Sequence, residues 1–291
     1  MSDHTTVLRA LLRPDPAGRR SLLSLPGCWD GLSALLIEQA GFPAAFLTGG
    51  GVSFARFGRP DMGLVGMTEV AETIAVIRDR VAIPLLVDAD TGFGNALNVT
   101  RTVRLFERAG ASAIQLEDQA FPKRCGHMAG KAVIPLKEAA GKIRAALDAR
   151  SNALIVARTD AAGVEGMDAA LDRAEAYLDE GADLIFVEGP RSMDDMRRVA
   201  DRLAARVPLI HNLVEGGVTP VRDGDALEKL GFAMALHPLL LLHGLAAAAP
   251  GWLSHLREKR TTDGLPLVDL AAMNIITGAP ELLALGQDYE R

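Results

Sequence analysis

One unit recurs along this chain: a helical pattern closes on a glycine, and a short apolar run follows that ends in a polar or acidic residue. Glu38-Gln39-Ala40-Gly41 leads to the run 44–48, Glu107-Arg108-Ala109-Gly110 to 113–117, Asp179-Glu180-Gly181 to 184–188, and Glu228-Lys229-Leu230-Gly231 to 232–236. Glycine after the last helical turn caps a helix, and a continuous apolar run suits a strand buried on both faces. Two further runs begin behind a proline, at Pro84 and Pro208. Adding Leu22 to Leu25 and the run 154–158 makes eight expected strands with helical patterns between them. Such alternation predicts a parallel sheet. Eight units over about 250 residues predict an α/β fold of the closed (β/α)8 TIM-barrel type. An open doubly wound sheet is the competitor, but no G-x-G-x-x-G follows the first run.

No Pro/Ser-rich linker interrupts the 291 residues, so a single barrel domain is expected over 1–291. Residues after about Pro250, with a second apolar segment from Leu265 to Leu285, read as a C-terminal helical extension. Hydrophobic residues at 49% allow a large core. A net charge of −6 without a basic stripe argues against nucleic-acid binding. Cys28 and Cys125 are too few for a disulfide framework, which favours a reducing, cytoplasmic setting. The N-terminus does not read as a signal peptide. The most apolar stretch, Leu239 to Ala249, is broken by His243 and Gly244 and is too short to span a membrane.

In a barrel of this kind chemistry sits where strands end. The expected strand ends here are polar: Thr48, Asp88 and Asp90, Glu117 and Asp118, Arg158 and Asp160, Glu188, and His211 with Asn212. Taken singly, Asp118 or Asp160 reads more plainly as a helix N-cap. A ring of acids with an arginine and an amide asks for more, because buried charges need partners. Asp88-Ala89-Asp90 would place two carboxylates on one side of an extended segment. With Glu117 they form an all-oxygen cluster suited to Mg²⁺, with several ligands bridged by water. Thr91-Gly92-Phe93-Gly94-Asn95 is a weak phosphate motif. Thr48-Gly49-Gly50-Gly51 is either a flexible turn or an anion-binding nest, and the turn is the plainer reading. Arg158 suits a bidentate carboxylate clamp or a structural ion pair.

The run Lys123-Arg124-Cys125-Gly126-His127 sets a thiol among cations just past Glu117-Asp118. Cations lower a thiol's pKa, so Cys125 could exchange a proton near neutrality. The plain alternative is a basic surface loop.

These elements, in this order, resemble the isocitrate lyase/phosphoenolpyruvate mutase superfamily. The likeness runs through Thr48-Gly49-Gly50, Arg59-Pro60-Asp61, the run 87–95, Glu117-Asp118-Gln119, the run 123–127, Ala157-Arg158-Thr159-Asp160, Asn212 and Glu215-Gly216-Gly217. It implies a barrel binding Mg²⁺, with Mn²⁺ as a substitute, through Asp88 directly and through Asp61, Asp90 and Glu117 by way of water. It implies that Thr48, Gly49, Gly50 and Gly126 contact substrate, that Arg158 holds its carboxylate, and that Glu188 and Asn212 line the pocket. It further implies a lid carrying Cys125 as proton donor, tuned by Lys123 and His127. A homotetramer that swaps C-terminal helices would be the assembly.

Within the superfamily the loop looks like that of carbon–carbon lyases such as 2-methylisocitrate and 2,3-dimethylmalate lyases. The implied reaction is a retro-aldol cleavage in which Mg²⁺ polarises the oxygen of the α-oxo acid product and a thiol protonates the enediolate. Two positions depart: Phe46 replaces a tyrosine, leaving the base that takes the substrate's hydroxyl proton unassigned, and His243 stands where methylisocitrate lyases place an arginine. The expected substrate is therefore a substituted malate-type 2-hydroxy dicarboxylate. Glu215-Gly216-Gly217-Val218-Thr219-Pro220 keeps open a carboxyphosphonoenolpyruvate-type phosphonomutase and an oxaloacetate hydrolase or decarboxylase. A catalytically silent organic-acid-binding barrel is the remote alternative.

Overall fold

The computed structural model describes residues 3–124, 126, 130–217 and 219–290. Eight parallel strands close a barrel in sequence order: β1 (Leu23–Cys28), β2 (Ala45–Leu47), β3 (Leu85–Asp88), β4 (Ala113–Glu117), β5 (Leu154–Thr159), β6 (Leu184–Val187), β7 (Leu209–Asn212) and β8 (Met234–His237). The helices before and between them are α1 (His4–Leu11), α2 (Gly31–Gln39), α3 (Gly49–Val52), α4 (Met67–Arg80), α5 (Ala96–Ala109), α6 (Leu136–Ala149), α7 (Met167–Glu180), α8 (Met193–Leu203) and α9 (Gly224–Leu230). The expected barrel is the fold observed.

The glycine and proline signals act as anticipated. Gly110, Gly181 and Gly231 cap α5, α7 and α9 in the left-handed region, at φ of 113°, 107° and 93°. Pro84 and Pro208 cannot donate to the ladder, but they stand just before β3 and β7, where their carbonyls accept from Ala45 and Ile185.

β1 runs three residues beyond the expected Leu25, through Pro26 and Gly27 to Cys28. A Pro-Gly pair signals a turn locally, yet β1 pairs with β8 up to Pro26 opposite His237 and with β2 from Gly27 opposite Phe46. Gly27 is required by closeness: a Cβ there would lie 2.0 Å from the Pro238 carbonyl oxygen. The Thr48 to Gly51 segment is also not a plain turn. Thr48 caps α3 by accepting from the Gly51 amide at 3.2 Å, so the glycines form the first helical turn.

The chain divides into two compact units, Met1–Leu241 and Leu242–Arg291. The second contains most of α10 (Leu240–Lys259), then α11 (Leu270–Ile276) and α12 (Ala279–Tyr289). α10 continues through Pro250 rather than stopping there. Among the described residues no helix is long and apolar enough to cross a membrane.

Candidate active site

Side chains alternate along a strand, so the residue two positions beyond a core residue shares its face. Phe46, Leu86, Val156, Phe186, Ile210 and Leu236 belong to one buried core cluster. Two positions further along stand Thr48, Asp88, Arg158, Glu188, Asn212 and Pro238. On β4 the same step leads from Gln115 to Glu117. The polar ring is therefore the layer that follows the apolar core, at the C-terminal mouth of the barrel. A cavity of about 170 Å³ opens there, lined by the polar residues Thr48, Asp61, Asp88, Lys123, Arg158 and Asn212 and by the apolar residues Phe46, Phe54, Val214, Pro238 and Leu239. Gly50, Gly126 and Glu215-Gly216-Gly217 complete the lining. A larger cleft of about 610 Å³ lies at the opposite end of the strands, beside Arg19, Arg20, Glu228 and Lys229.

Asp88 and Asp90 do not share the face of an extended strand. β3 ends at Asp88, and Asp90 takes a left-handed φ of 47°. Asp90 donates its amide to Asp88 Oδ1 at 3.1 Å, and this turn folds the two carboxylates together. Gly49 lets them approach: a Cβ at that position would lie 3.2 Å from Asp88 Oδ2 and 3.3 Å from Asp90 Oδ1. The Gly49 amide donates to Asp88 Oδ2 at 3.4 Å. Asp61 follows Arg59 and Pro60, whose carbonyls both accept from the Ser53 hydroxyl.

The cation among these carboxylates is Lys123. Its ammonium, 3% exposed, lies 2.6 Å from Asp61 and 2.8 Å from Asp90. Burial works against the charged lysine, but Asp90, Glu117, Asp61 and Asp88 together hold its pKa well above the ordinary value. Burial pushes Asp90 up to about 7, with Lys123 opposing and Asp88 and Asp61 adding to the rise. Burial likewise raises Glu117 well above the carboxylate range against the pull of Arg158.

Arg158 is an ion-pair hub. Its Nε and Nη2 donate to Asp160 at 2.9 and 3.2 Å, Glu117 lies 3.4 Å away, and Glu188 3.7 Å away. The guanidinium stacks over the Phe186 ring at 5.2 Å, a contact worth about 1 kcal/mol. Burial opposes its charge, but Asp160, Glu117 and Glu188 hold its pKa well above the usual range. Asn212 donates to Glu188 at 2.9 Å, joining β7 to β6 across the mouth.

The capping reading of Asp118 and Asp160 does not hold. Asp160 makes no side-chain cap hydrogen bond to the short 3₁₀ turn it precedes. Asp118, 3% exposed, accepts from Thr159, from Tyr177, from Arg173 and from the Asp160 amide. It locks β5 against α7 and holds Asp160 from behind. His211 is also not part of the mouth: it is fully buried and packs edge-on to Phe232 at 5.6 Å. Strand alternation turns it away from the face that presents Asn212. The glycine-rich run 91–95 is the entry to α5, where the Asn95 side chain accepts from the amides of Leu97 and Asn98.

Of the expected site residues, the structure gathers Thr48, Gly50, Asp61, Asp88, Lys123, Gly126, Arg158 and Asn212 around one cavity. Gly49, Asp90, Glu117 and Glu188 adjoin them through the contacts above. Cys125 and His127 lie outside the described residues. Arg173, Tyr177 and Lys131 were not expected to support the site. No local signal marks them, because their partners are 55 and 59 residues away for Arg173 and Tyr177 with Asp118 and 29 for Lys131 with Asp160.

Residues 16–248 match the phosphoenolpyruvate phosphomutase family. The chain belongs to that family. As a member, it is 38% identical over 274 residues to 2,3-dimethylmalate lyase of Eubacterium barkeri, covering 93% of this chain and 94% of the relative. It is 45% identical over 242 residues to 2-methylisocitrate lyase of Salmonella typhimurium, covering 82% and 81%. Its fold matches a structure of oxaloacetate acetylhydrolase bound to 3,3-difluorooxalacetate with a TM-score of 0.92 at 31% identity, covering 99% and 97%. The chain is thus an enzyme, related over most of its length to lyases of this family, and the resemblance read from its motifs is borne out.

Among the described residues no three acidic, histidine or cysteine side chains converge closely enough, as they stand, to hold a metal ion. The donor set nonetheless fits Mg²⁺. It is all oxygen, and Oε1 of the buried Glu117 has no hydrogen-bond partner among the described residues. Six carboxyls (Asp61, Asp88, Asp90, Glu117, Asp160 and Glu188) face three cations (Lys123, Lys131 and Arg158), a surplus that a divalent ion would relieve.

Proposed function

We propose that this enzyme is a Mg²⁺-dependent carbon–carbon lyase that cleaves an alkyl-substituted malate-type dicarboxylate into an α-oxo acid and a carboxylic acid. The observation that carries the reading is the cavity itself, whose lining combines the carboxylates Asp61 and Asp88 and the buried guanidinium of Arg158 with the apolar side chains Phe46, Phe54, Val214 and Leu239. Asp88 would hold the ion directly, with Asp61, Asp90 and Glu117 around it. Bound there, the ion would supply Lewis-acid polarisation of the α-oxygen.

The chain's own residues divide the remaining work. Arg158 binds the substrate carboxylate with a guanidinium already aligned by Asp160, which limits reorganisation on binding. Thr48, Gly49 and Gly50 contact the α-oxygen end. Glu188 and Asn212, tied to each other, line the pocket for the leaving half. Phe46, Phe54, Val214 and Leu239 exclude water and accept alkyl groups. Among the described lining residues only Lys123 and Arg158 are cationic, which favours two substrate carboxylates over three. Cys125 is the proton donor in this reading.

Incubation with Mg²⁺ and a panel of alkylmalates, methylisocitrate, oxaloacetate and carboxyphosphonoenolpyruvate, followed by proton and phosphorus NMR, tests it. Pyruvate or glyoxylate released from an alkylmalate is the expected result. Turnover of the phosphonate alone would replace the reading. Release of oxalate from oxaloacetate would support the second reading, oxaloacetate hydrolysis, which the likeness to an oxaloacetate acetylhydrolase fits, although a 2,3-dimethylmalate lyase structure matches with the same TM-score of 0.92.

The reading extends to assembly as a homo-oligomer. Leu253, Leu270, Ile275, Leu282 and Leu283 on the C-terminal helices are each at least 66% exposed, an apolar surface suited to a second copy of the chain.

A further inference from the structure

The Lys131 side chain is 7% exposed, and its ammonium serves two acceptors at once. It donates to the Gly126 carbonyl at 2.6 Å and to Asp160 Oδ1 at 2.8 Å. Asp160 is the residue that aligns Arg158, and Asp118 holds the Asp160 amide from behind at 2.9 Å. Gly126 in turn rests directly on the site. A Cβ at that position would lie 2.6 Å from Arg158 Nη2 and 2.8 Å from Glu188 Cγ. The backbone at 126 is therefore pressed against two residues of the pocket, at a point where only glycine fits.

The segment that carries Gly126 is rooted separately. Ala120 donates to the Ala132 carbonyl at 2.8 Å, Ile134 to the Asp118 carbonyl at 2.9 Å, and the Gln119 amide group exchanges hydrogen bonds with the Arg124 backbone. These contacts fix the base of the segment. The contact at Gly126 belongs to Lys131.

We propose that Lys131 is a positioning residue whose ammonium seats Gly126 on the Arg158–Glu188 pair. A role confined to neutralising Asp160 explains less, because Arg158 already supplies Asp160 with a bidentate counter-charge. What Lys131 adds is a second donor reaching a backbone carbonyl, which a three-donor ammonium on a long stem provides. This role rests on the lyase reading only where it concerns turnover; the seat itself is a matter of geometry.

The test compares wild type with Lys131→Met and Lys131→Arg by amide hydrogen exchange, by calorimetric binding of oxalate with Mg²⁺, and by turnover of whichever substrate the panel identifies. In Lys131→Met, exchange across residues 123–133 should accelerate at least about tenfold while β5 and β6 remain protected. The oxalate Kd should stay within about threefold, because Arg158 keeps Asp160, while kcat falls about tenfold or more. Lys131→Arg should recover part of both the protection and kcat. Unchanged exchange over 123–133 overturns the proposal, as does a loss of protection spread equally through the barrel or full turnover in Lys131→Met. If wild type cleaves nothing in the panel, the lyase reading fails and the exchange comparison still decides the seat.

Discussion

The Lys123 ammonium lies 2.8 Å from the Asp90 carboxylate, both buried at the mouth of the barrel. A divalent ion held by Asp88, Asp61 and Asp90 would share these carboxylates with Lys123, so the two would compete. Removing one partner of a buried pair costs about 3–5 kcal/mol when the other charge stays uncompensated. Lys123→Met should therefore melt below wild type without metal. Mg²⁺ should raise its Tm more than that of wild type, since a ligand binding only the native state stabilises it. Calorimetry should show Mg²⁺ binding at least about tenfold tighter, a difference of about 1.4 kcal/mol. Equal Mg²⁺ affinity in both proteins would separate Lys123 from the ion.

Cys125→Ala should abolish cleavage while leaving Mg²⁺ binding and Tm within error of wild type. The loss should appear in kcat, by about 10²-fold or more, as expected for removal of a general acid. Cys28 does not confuse labelling experiments, because burial raises its thiol far above the range where thiolate forms. Full turnover in the variant would remove the thiol from the mechanism.

Tyr177 donates to Asp118 at 2.8 Å, with both side chains buried. Tyr177→Phe leaves Thr159, Arg173 and the Asp160 amide in place, so the loss should be about 1–2 kcal/mol in urea unfolding. Asp118→Ala strands all four donors and should cost more. A Tyr177→Phe variant as stable as wild type would show that the network does not depend on the phenol.

His4 Nδ1 lies 2.9 Å from the Ser112 hydroxyl, which also accepts from the Leu85 amide. Burial, then Arg78, lowers the His4 pKa, with Asp3 opposing. A histidine depressed in the folded state contributes stability that is present above its unfolded pKa of about 6.5 and is lost as pH falls through the folded value. Urea midpoints should drop between pH 7.5 and 5.5 more steeply in wild type than in His4→Gln. Parallel slopes would rule the residue out as a source of acid sensitivity.

The exposed leucines of the C-terminal helices predict an assembly that charge can break. Light scattering should report a multimer for wild type and a smaller species for the double variant Leu282→Glu, Leu283→Glu. A monomeric wild type would end the oligomer reading.

Much of this protein was legible before any tertiary contact was considered. The glycine caps at 110, 181 and 231 and the apolar runs behind them are local signals, since φ > 0 and a two-sided strand each restrict residue type. The polar strand ends were legible for the same reason: a charge closing an apolar run must find partners. Pro26-Gly27 misled because its turn signal is local, whereas the strand through it is imposed by neighbours more than 200 residues away in β8.

The sequence by itself determined the barrel, its order of strands, the carboxylate-rich mouth and the family. These follow from periodicity and residue type, which act over a few positions. Only the tertiary structure decided which charges meet. It turned Asp90 onto Asp88 through a left-handed residue, set Lys123 among four carboxylates, moved Asp118 and Asp160 from helix caps to supports of Arg158, and joined Lys131 to Gly126. Such pairings depend on distances between strands and loops far apart in the chain, and barrel closure sets those distances.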